Sequence, residues 1–290
     1  MYPTNFDYYR PSTVQEAIAL LSKDKNAKVL AGGHSLLPAM KLRTTAPSAL
    51  VDIGHINDLV GIKADGNTVT IGSMTTHAMV ASSDVVKSKC PILAETAAVI
   101  GDLQVRNRGT IGGSLAHADP AADYPTTIVA LGATITAMGA KGSRSIPADQ
   151  FFKGLLTTAL DQTELITAVG VPAYGAMKGM GGAYMTHEHP ASSYSVVGVA
   201  ALVGLENGKC ARVSLVFGGA TVNPVHAEAA EKALTGKEPS AANVEAAAAL
   251  VAQAITNPLH DVYASSEYRV HLATVLAKRA LMTAAARAQV

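Results

Sequence analysis

The sequence predicts an α+β chain of more than one domain. Three features lead there. Strand, helix, strand, short helix and strand alternate over residues 6–53. Short strands with hairpin signals follow, enclosing a glycine-rich stretch. Beyond residue 182 an antiparallel meander gives way to alanine-rich helices.

Taken in order, Phe6–Arg10 reads as a strand. Pro11-Ser12-Thr13 offers a helix N-cap, and Val14, Ala17, Ile18 and Leu21 recur at helical spacing. Lys28–Leu30 reads as a strand, a Gly-Gly loop and short helix follow, and Ala49–Ile53 is a third strand, which suggests a small parallel α/β unit. Gly61–Ala64 and Thr68–Ile71 flank Asp65-Gly66-Asn67, a hairpin signal. The chain turns helical from Thr75, through Ser83–Lys89, and Pro91 opens an apolar helix that ends near Gly101. Gln104–Pro125 reads as a long structured loop, mixing Arg, Thr, His and two Asp with glycines at fixed points. Tyr124–Leu131 is a helix; Ala133–Met138, Arg144–Ile146 and Glu164–Val171 are strands. The Gly-, Pro- and Met-rich stretch 172–182 marks a domain boundary. Gly182–Glu188, Ser195–Leu205 and Lys209–Phe217 form the meander, with Glu206-Asn207-Gly208 as a hairpin turn. His226–Leu234, Ala241–Ile255 and Ser265–Ala286 are helices suited to a small bundle, because alanine favours helix and permits close packing.

Composition narrows the function. The 290 residues carry a net charge of +1, so no general attraction to nucleic acid or anionic membrane is expected. Tryptophan is absent and aromatics are 4%, which disfavours a base-stacking surface. Only Cys90 and Cys210 occur, too few for an iron–sulfur cluster held by four thiolates. No signal peptide and no apolar run of membrane-spanning length is visible, so a cytoplasmic protein is expected.

Two glycine stretches carry the chemistry. Ala31-Gly32-Gly33-His34-Ser35-Leu36 lies between a strand and a short helix, and Thr110-Ile111-Gly112-Gly113-Ser114-Leu115 lies within the second glycine-rich stretch. Successive N–H groups in such a turn form a concavity suited to an anion, and a following helix N-terminus adds partial positive charge. A strand followed by Gly-Gly and a helix is more often a plain turn; both stretches together suit one diphosphate. The Gly-x-Gly-x-x-Gly pattern does not occur around Gly32-Gly33, and Gly-x-x-x-x-Gly-Lys-Ser/Thr does not occur either, which disfavours the dinucleotide fold and the phosphate loop of nucleotide hydrolases.

Ala31–Arg43, Thr110–Ser114 and Ala118-Asp119-Pro120-x-x-Asp123-x-Pro125, with Ser265–Leu272 near the end, resemble the FAD-binding medium subunits of the molybdenum hydroxylases, the carbon monoxide dehydrogenase and xanthine dehydrogenase type. The resemblance runs over nearly the whole chain. It implies a two-subdomain FAD-binding fold of the vanillyl alcohol oxidase type, over residues 1–58 and 59–175. A C-terminal domain, residues 176–290, would hold a three-stranded antiparallel sheet and helices. It implies FAD as cofactor, held by Ala31, Gly32, Gly33, His34, Ser35 and Leu36 and by Thr110, Ile111, Gly112, Gly113, Ser114 and Leu115. Asp123 would bond the ribityl hydroxyls, Ile166 would lie near the isoalloxazine, and Tyr194 would lie over it. The partners implied are a large molybdenum-cofactor subunit and a small iron–sulfur subunit with a 2Fe–2S cluster, in a dimer of heterotrimers. The function implied is electron transfer from the iron–sulfur subunit to an external acceptor, with no catalytic residue of this chain at the substrate.

A stand-alone flavin-dependent oxidoreductase and a non-redox nucleotide-binding scaffold are the competing expectations. Other residues invite duller readings: His117 beside Asp119, and His187 and His189 alternating on a strand, lack a third metal ligand. Arg106 and Arg108 suit a phosphate, a partner surface or solvent equally. Glu267, Tyr268 and Arg269 are expected to fix the terminal helix.

Overall fold

Apolar residues in the N-terminal segment recur at the spacing that lets one face of a helix cover a small sheet. In the computed structural model, which describes residues 1–175 and 177–289, that segment comprises β1 (Asp7–Tyr9), α1 (Val14–Lys23), β2 (Lys28–Leu30), α2 (Leu36–Lys41) and β3 (Ala49–Asp52). The Thr13 hydroxyl caps α1 by accepting the Glu16 N–H, and Val14, Ala17, Ile18 and Leu21 are buried as the spacing predicts. The three strands are parallel in the order β1-β3-β2, the small parallel unit expected.

The middle segment holds β4 (Ile62–Asp65), β5 (Thr68–Gly72), α3 (His77–Ser82), α4 (Asp84–Lys89), α5 (Pro91–Val99), α6 (Leu103–Arg106), α7 (Ile111–His117) and α8 (Asp123–Ala130). β6 (Thr134–Gly139), β7 (Gly142–Pro147), the short pair β8 (Phe152–Gly154) and β9 (Thr157–Thr158), and β10 (Leu165–Pro172) follow. β4, β5, β10, β6 and β7 form one antiparallel sheet in that order.

Here the structure corrects the sequence reading. Residues 104–125 are not a long loop but short helices, and Gly112 and Gly113 lie in the first turn of α7. Glycine is a poor helix former, but a Cβ on Gly112 would stand 2.5 Å from the Ser73 Cβ and 2.7 Å from the Ser73 carbonyl oxygen. Helix and preceding strand approach so closely that only glycine fits.

The C-terminal segment contains β11 (Met180–Glu188), β12 (Ser195–Glu206), β13 (Lys209–Gly218), β14 (Val225–His226), α9 (Glu228–Leu234), α10 (Ala241–Ala249) and α11 (Ser266–Ala288). Asn207 and Gly208 both take positive φ in the β12–β13 turn, as a tight hairpin requires. The sheet has four strands rather than the three expected, because two residues of the returning chain, Val225 and His226, add an edge to β13. The helices do not form a separate bundle. α11 lies across β11 and β12, and its alanines Ala273, Ala277, Ala280 and Ala284 are fully buried there with Val199, Ala201 and Val203. Arg269 staples the start of α11: its guanidinium donates to the carbonyls of Val196 (2.5 Å) and Gly219 (2.8 Å) and to Asp261 (2.6 Å).

Helix α8 packs on the other face of β12 and β13. The main apolar core therefore crosses the expected boundary near residue 175, joining Tyr124, Ile128 and Val169 to Tyr184, Ala200, Leu202 and Val216. Residue 176, within the expected boundary stretch, lies outside the described residues.

Candidate functional site

The chain leaves β2 into Ala31-Gly32-Gly33, where Gly33 adopts φ +76°, and re-enters helix at Leu36. The N–H groups of Gly32, Gly33, His34, Ser35 and Leu36 meet no acceptor among the described residues. Five consecutive unengaged amides at a turn into a helix are donors for an anion.

The second glycine segment is constructed differently. Ile111 N–H donates to the Thr75 carbonyl (3.1 Å), Gly112 N–H to that of Ser73 (2.8 Å), Gly113 N–H to the Thr110 hydroxyl (3.1 Å) and Ser114 N–H to the Thr110 carbonyl (3.0 Å). Its amides are engaged by the protein, so the expectation that both stretches offer free N–H groups holds only for the first. What the second segment presents is the half-buried Ser114 hydroxyl and the flank of Gly113, where a Cβ would stand 2.8 Å from the capping Thr110 Oγ1 and 3.6 Å from Ala31 Cβ.

The two segments touch. A Cβ on Gly32 would lie 2.1 Å from the Arg108 carbonyl oxygen and 3.0 Å from Gly109 Cα. The first glycine pair thus serves loop-to-loop contact as much as ligand approach. Gly109 in turn sits against the imidazole of His77, and the His77 backbone N–H donates to the Gly109 carbonyl at 3.0 Å. Burial first, then the nearby His34 ring and Arg106 guanidinium, push His77 down to about 4, so it is neutral at physiological pH. Its ring lies 5.3 Å from that of Tyr124, the neighbour of Asp123.

Asp123 opens α8 and is 6% exposed. The Tyr184 hydroxyl donates to Asp123 Oδ1 at 2.7 Å. Burial pushes the carboxyl up to about 7, against the lowering effect of that bond; Glu188 raises it further. Besides Tyr184 and Asp123's own backbone N–H, no residue among those described donates to this carboxyl.

The remaining expected residues are dispersed around this centre. Ile166 is 4% exposed and packs in the core at a bulge in β10, beside Thr167, whose carbonyl accepts the Ser73 N–H at 3.0 Å. Ile111 and Leu115 are fully buried, so these three side chains serve the core. Tyr194 is 47% exposed on the loop before β12, where the next residue, Ser195, donates its N–H to the Ala121 carbonyl (3.3 Å). His34 is exposed, its Nδ1 3.2 Å from the Gly32 carbonyl oxygen. Arg106 is occupied with the carbonyls of Ile100 and Gly101. His117 Nε2 stands 3.8 Å from Asp119 Oδ2, and no cluster of three metal-ligating groups occurs among the described residues.

Sequence reasoning missed the Ser73–His77 strip and Tyr184. The first had no local motif. For the second, the alternation of Tyr184, Thr186 and Glu188 on one strand face, opposite the glycine at 198, was a usable signal.

Residues 4–174 match the family described as the FAD binding domain in molybdopterin dehydrogenase, and residues 182–284 match the CO dehydrogenase flavoprotein C-terminal domain. The chain is 39% identical over 290 residues to the carbon monoxide dehydrogenase medium chain of Afipia carboxidovorans, covering 100% of both. It is also 39% identical to the glyceraldehyde dehydrogenase medium chain of Sulfolobus acidocaldarius, covering 97% of this chain and 98% of the relative. Among solved structures, carbon monoxide dehydrogenase from Hydrogenophaga pseudoflava is similar with a TM-score of 0.95 and 41% identity, covering 99% of each chain. The chain belongs to the FAD-binding medium subunits of the molybdopterin dehydrogenases. It is an oxidoreductase subunit, and its cofactor is FAD. The residues present suit that group: unengaged amides for a diphosphate, and a buried carboxylate with one oxygen to which no other residue among those described donates, for hydroxyl donors.

Proposed function

We propose that this chain is the electron-transfer subunit of a molybdenum hydroxylase, taking electrons from a small iron–sulfur subunit and passing them to an external acceptor. A large molybdenum-cofactor subunit would carry the substrate chemistry, in a cytoplasmic dimer of heterotrimers. Bound FAD supplies a ring that accepts electrons singly or in pairs, and so joins one-electron clusters to a two-electron acceptor.

The chain's own part is to bind and orient. The amides of Gly32–Leu36 would hold the diphosphate; Thr110, Gly113 and Ser114 would border it; Asp123 would accept the ribityl hydroxyls. Ile111, Gly112, Leu115 and Ile166 would act through backbone and packing. Tyr194, beside the Asp119–Asp123 turn, would cover the ring. Residues 1–58 and 59–175 would be the two flavin-binding subdomains, in a fold related to the vanillyl alcohol oxidase type, and 176–290 the C-terminal domain.

The observation that carries this reading is the close approach of Gly32 to the Arg108 carbonyl, which brings the two glycine segments together, beside an unengaged run of amides. The substrate of the parent complex is left open, since relatives named for carbon monoxide and for glyceraldehyde stand at the same 39% identity. The test is purification of the tagged chain from its native host. A flavin absorption spectrum together with co-purification of a cysteine-rich subunit and a molybdenum-containing subunit is expected. Flavin bleaching by a small substrate added to the isolated chain alone would refute the electron-transfer role.

A further inference from the structure

We propose that Tyr184, on the first strand of the C-terminal sheet, is a positioning residue for the flavin site: its hydroxyl fixes one oxygen of Asp123, so that the other faces the ligand. This inference rests on the reading that Asp123 meets FAD, and deepens it.

The geometry is specific. The Tyr184 hydroxyl stands 2.7 Å from Asp123 Oδ1, and both residues are buried. A phenol has one hydrogen to donate, and a carboxylate is a strong acceptor, so this bond is charge-assisted when Asp123 is ionised. The slot for the phenol is made by Gly198 on the neighbouring strand: a Cβ there would lie 2.2 Å from the hydroxyl oxygen and 3.0 Å from Cζ. Gly198, one of two glycines in β12, leaves its side-chain space to the tyrosine and is the sequence trace of that requirement. Burial, with the Asp123 carboxylate beside it, pushes the phenol well above its ordinary value, so it keeps its hydrogen for Asp123; the Thr186 and Ser195 hydroxyls, 2.6 Å apart, flank it. A buried phenol usually finds a partner, and here it is the carboxylate that opens α8. The C-terminal sheet thereby orients an acid belonging to the flavin-binding part of the chain.

The consequence for binding follows from the charges. Besides Tyr184, Glu188 on the same strand is the titratable group that acts on this carboxyl, and it supplies no positive charge; Tyr124, the neighbour on α8, is a neutral phenol that the carboxylate pushes up. Tyr184 is the only side chain among the described residues that donates to it. Removing that donor raises the pH at which Asp123 ionises and frees the carboxylate to rotate.

The test is a titration of the full-length chain, stripped of flavin, with FAD across pH 5.5–9, followed by quenching of flavin fluorescence. Tyr184→Phe keeps the ring and removes only the donor. Its Kd at pH 7 is expected to rise about tenfold, the order of one charge-assisted hydrogen bond. The midpoint of its pH profile is expected to move to higher pH, a readout that a packing role would leave in place. Asp123→Asn is expected to bind weakly with a flat profile. Gly198→Ala, which displaces the phenol, is expected to reproduce the Tyr184→Phe result, and it decides the matter if Tyr184→Phe does not fold. Native Kd and midpoint in the tyrosine or glycine variant, with Asp123→Asn weakened, overturn the positioning role and leave the Asp123 reading standing. Native binding by Asp123→Asn overturns both.

Discussion

Replacing Asp123 by asparagine should make the flavin-free chain more stable above neutral pH. The carboxyl has its ordinary value near 3.8 in the unfolded chain and is pushed up to about 7 in the fold, chiefly by burial. Between those values the folded state binds more protons than the unfolded state, so stability falls as pH rises from 4 to 7 and the loss is complete above 7. A difference of about three pH units at about 1.4 kcal/mol each sets an upper bound of about 4 kcal/mol. Asparagine keeps the shape and still accepts the Tyr184 hydroxyl at Oδ1, but it carries no charge to desolvate. The assay is urea unfolding of native and variant apoprotein at several pH values, with the slope confirming an unchanged transition. The two curves should agree near pH 4, part through pH 4–7 and stay apart at pH 8 with the variant the more stable. A difference independent of pH, or a native chain more stable at pH 8, would refute the attribution to a buried charge. The same variant should hold FAD poorly, so stability and function would move in opposite directions at one residue.

Gly32→Ala places a methyl 2.1 Å from the Arg108 carbonyl oxygen, so the glycine segments must part; a cost of about 1–3 kcal/mol by denaturation is expected, with a sharp loss of FAD in the purified chain. Gly113→Val, whose Cβ would press on the capping Thr110 hydroxyl at 2.8 Å and stand 3.6 Å from Ala31, should lose FAD while circular dichroism keeps most of the native helix and strand signal; undiminished flavin would refute its place at the ligand. Thr110→Ala removes the α7 cap and should lower stability by about 1 kcal/mol, read as a drop in melting temperature. Arg269→Leu strips the Val196 and Gly219 carbonyls and Asp261 of their donor. It should destabilise the C-terminal sheet by about 3 kcal/mol, while a melting temperature equal to native would show the staple to be idle.

Much of the fold was legible because its signals are local. The Thr13 cap and the Val14, Ala17, Ile18, Leu21 face define α1 within one turn of their own chain. Asn207-Gly208 takes the two positive φ values that a tight hairpin needs, so the β12–β13 register follows from two residues. The second glycine segment misled for a matching reason. Adjacent glycines disfavour helix locally, and what makes them helical is the Ser73 backbone, which lies 39 positions away in the chain. The fourth strand is only two residues long, too short for any alternation to show.

By itself the sequence determined which segments bend, cap and alternate, and which two stretches had the backbone freedom to meet a phosphate, since those properties belong to neighbouring residues and their sterics. Only the tertiary structure decided that Gly32 rests on Arg108, that one segment keeps its amides free while the other spends them on Ser73 and Thr75, and that Tyr184 reaches Asp123. Those are contacts between distant parts of the chain, fixed by how the sheets and helices bury their apolar faces against one another.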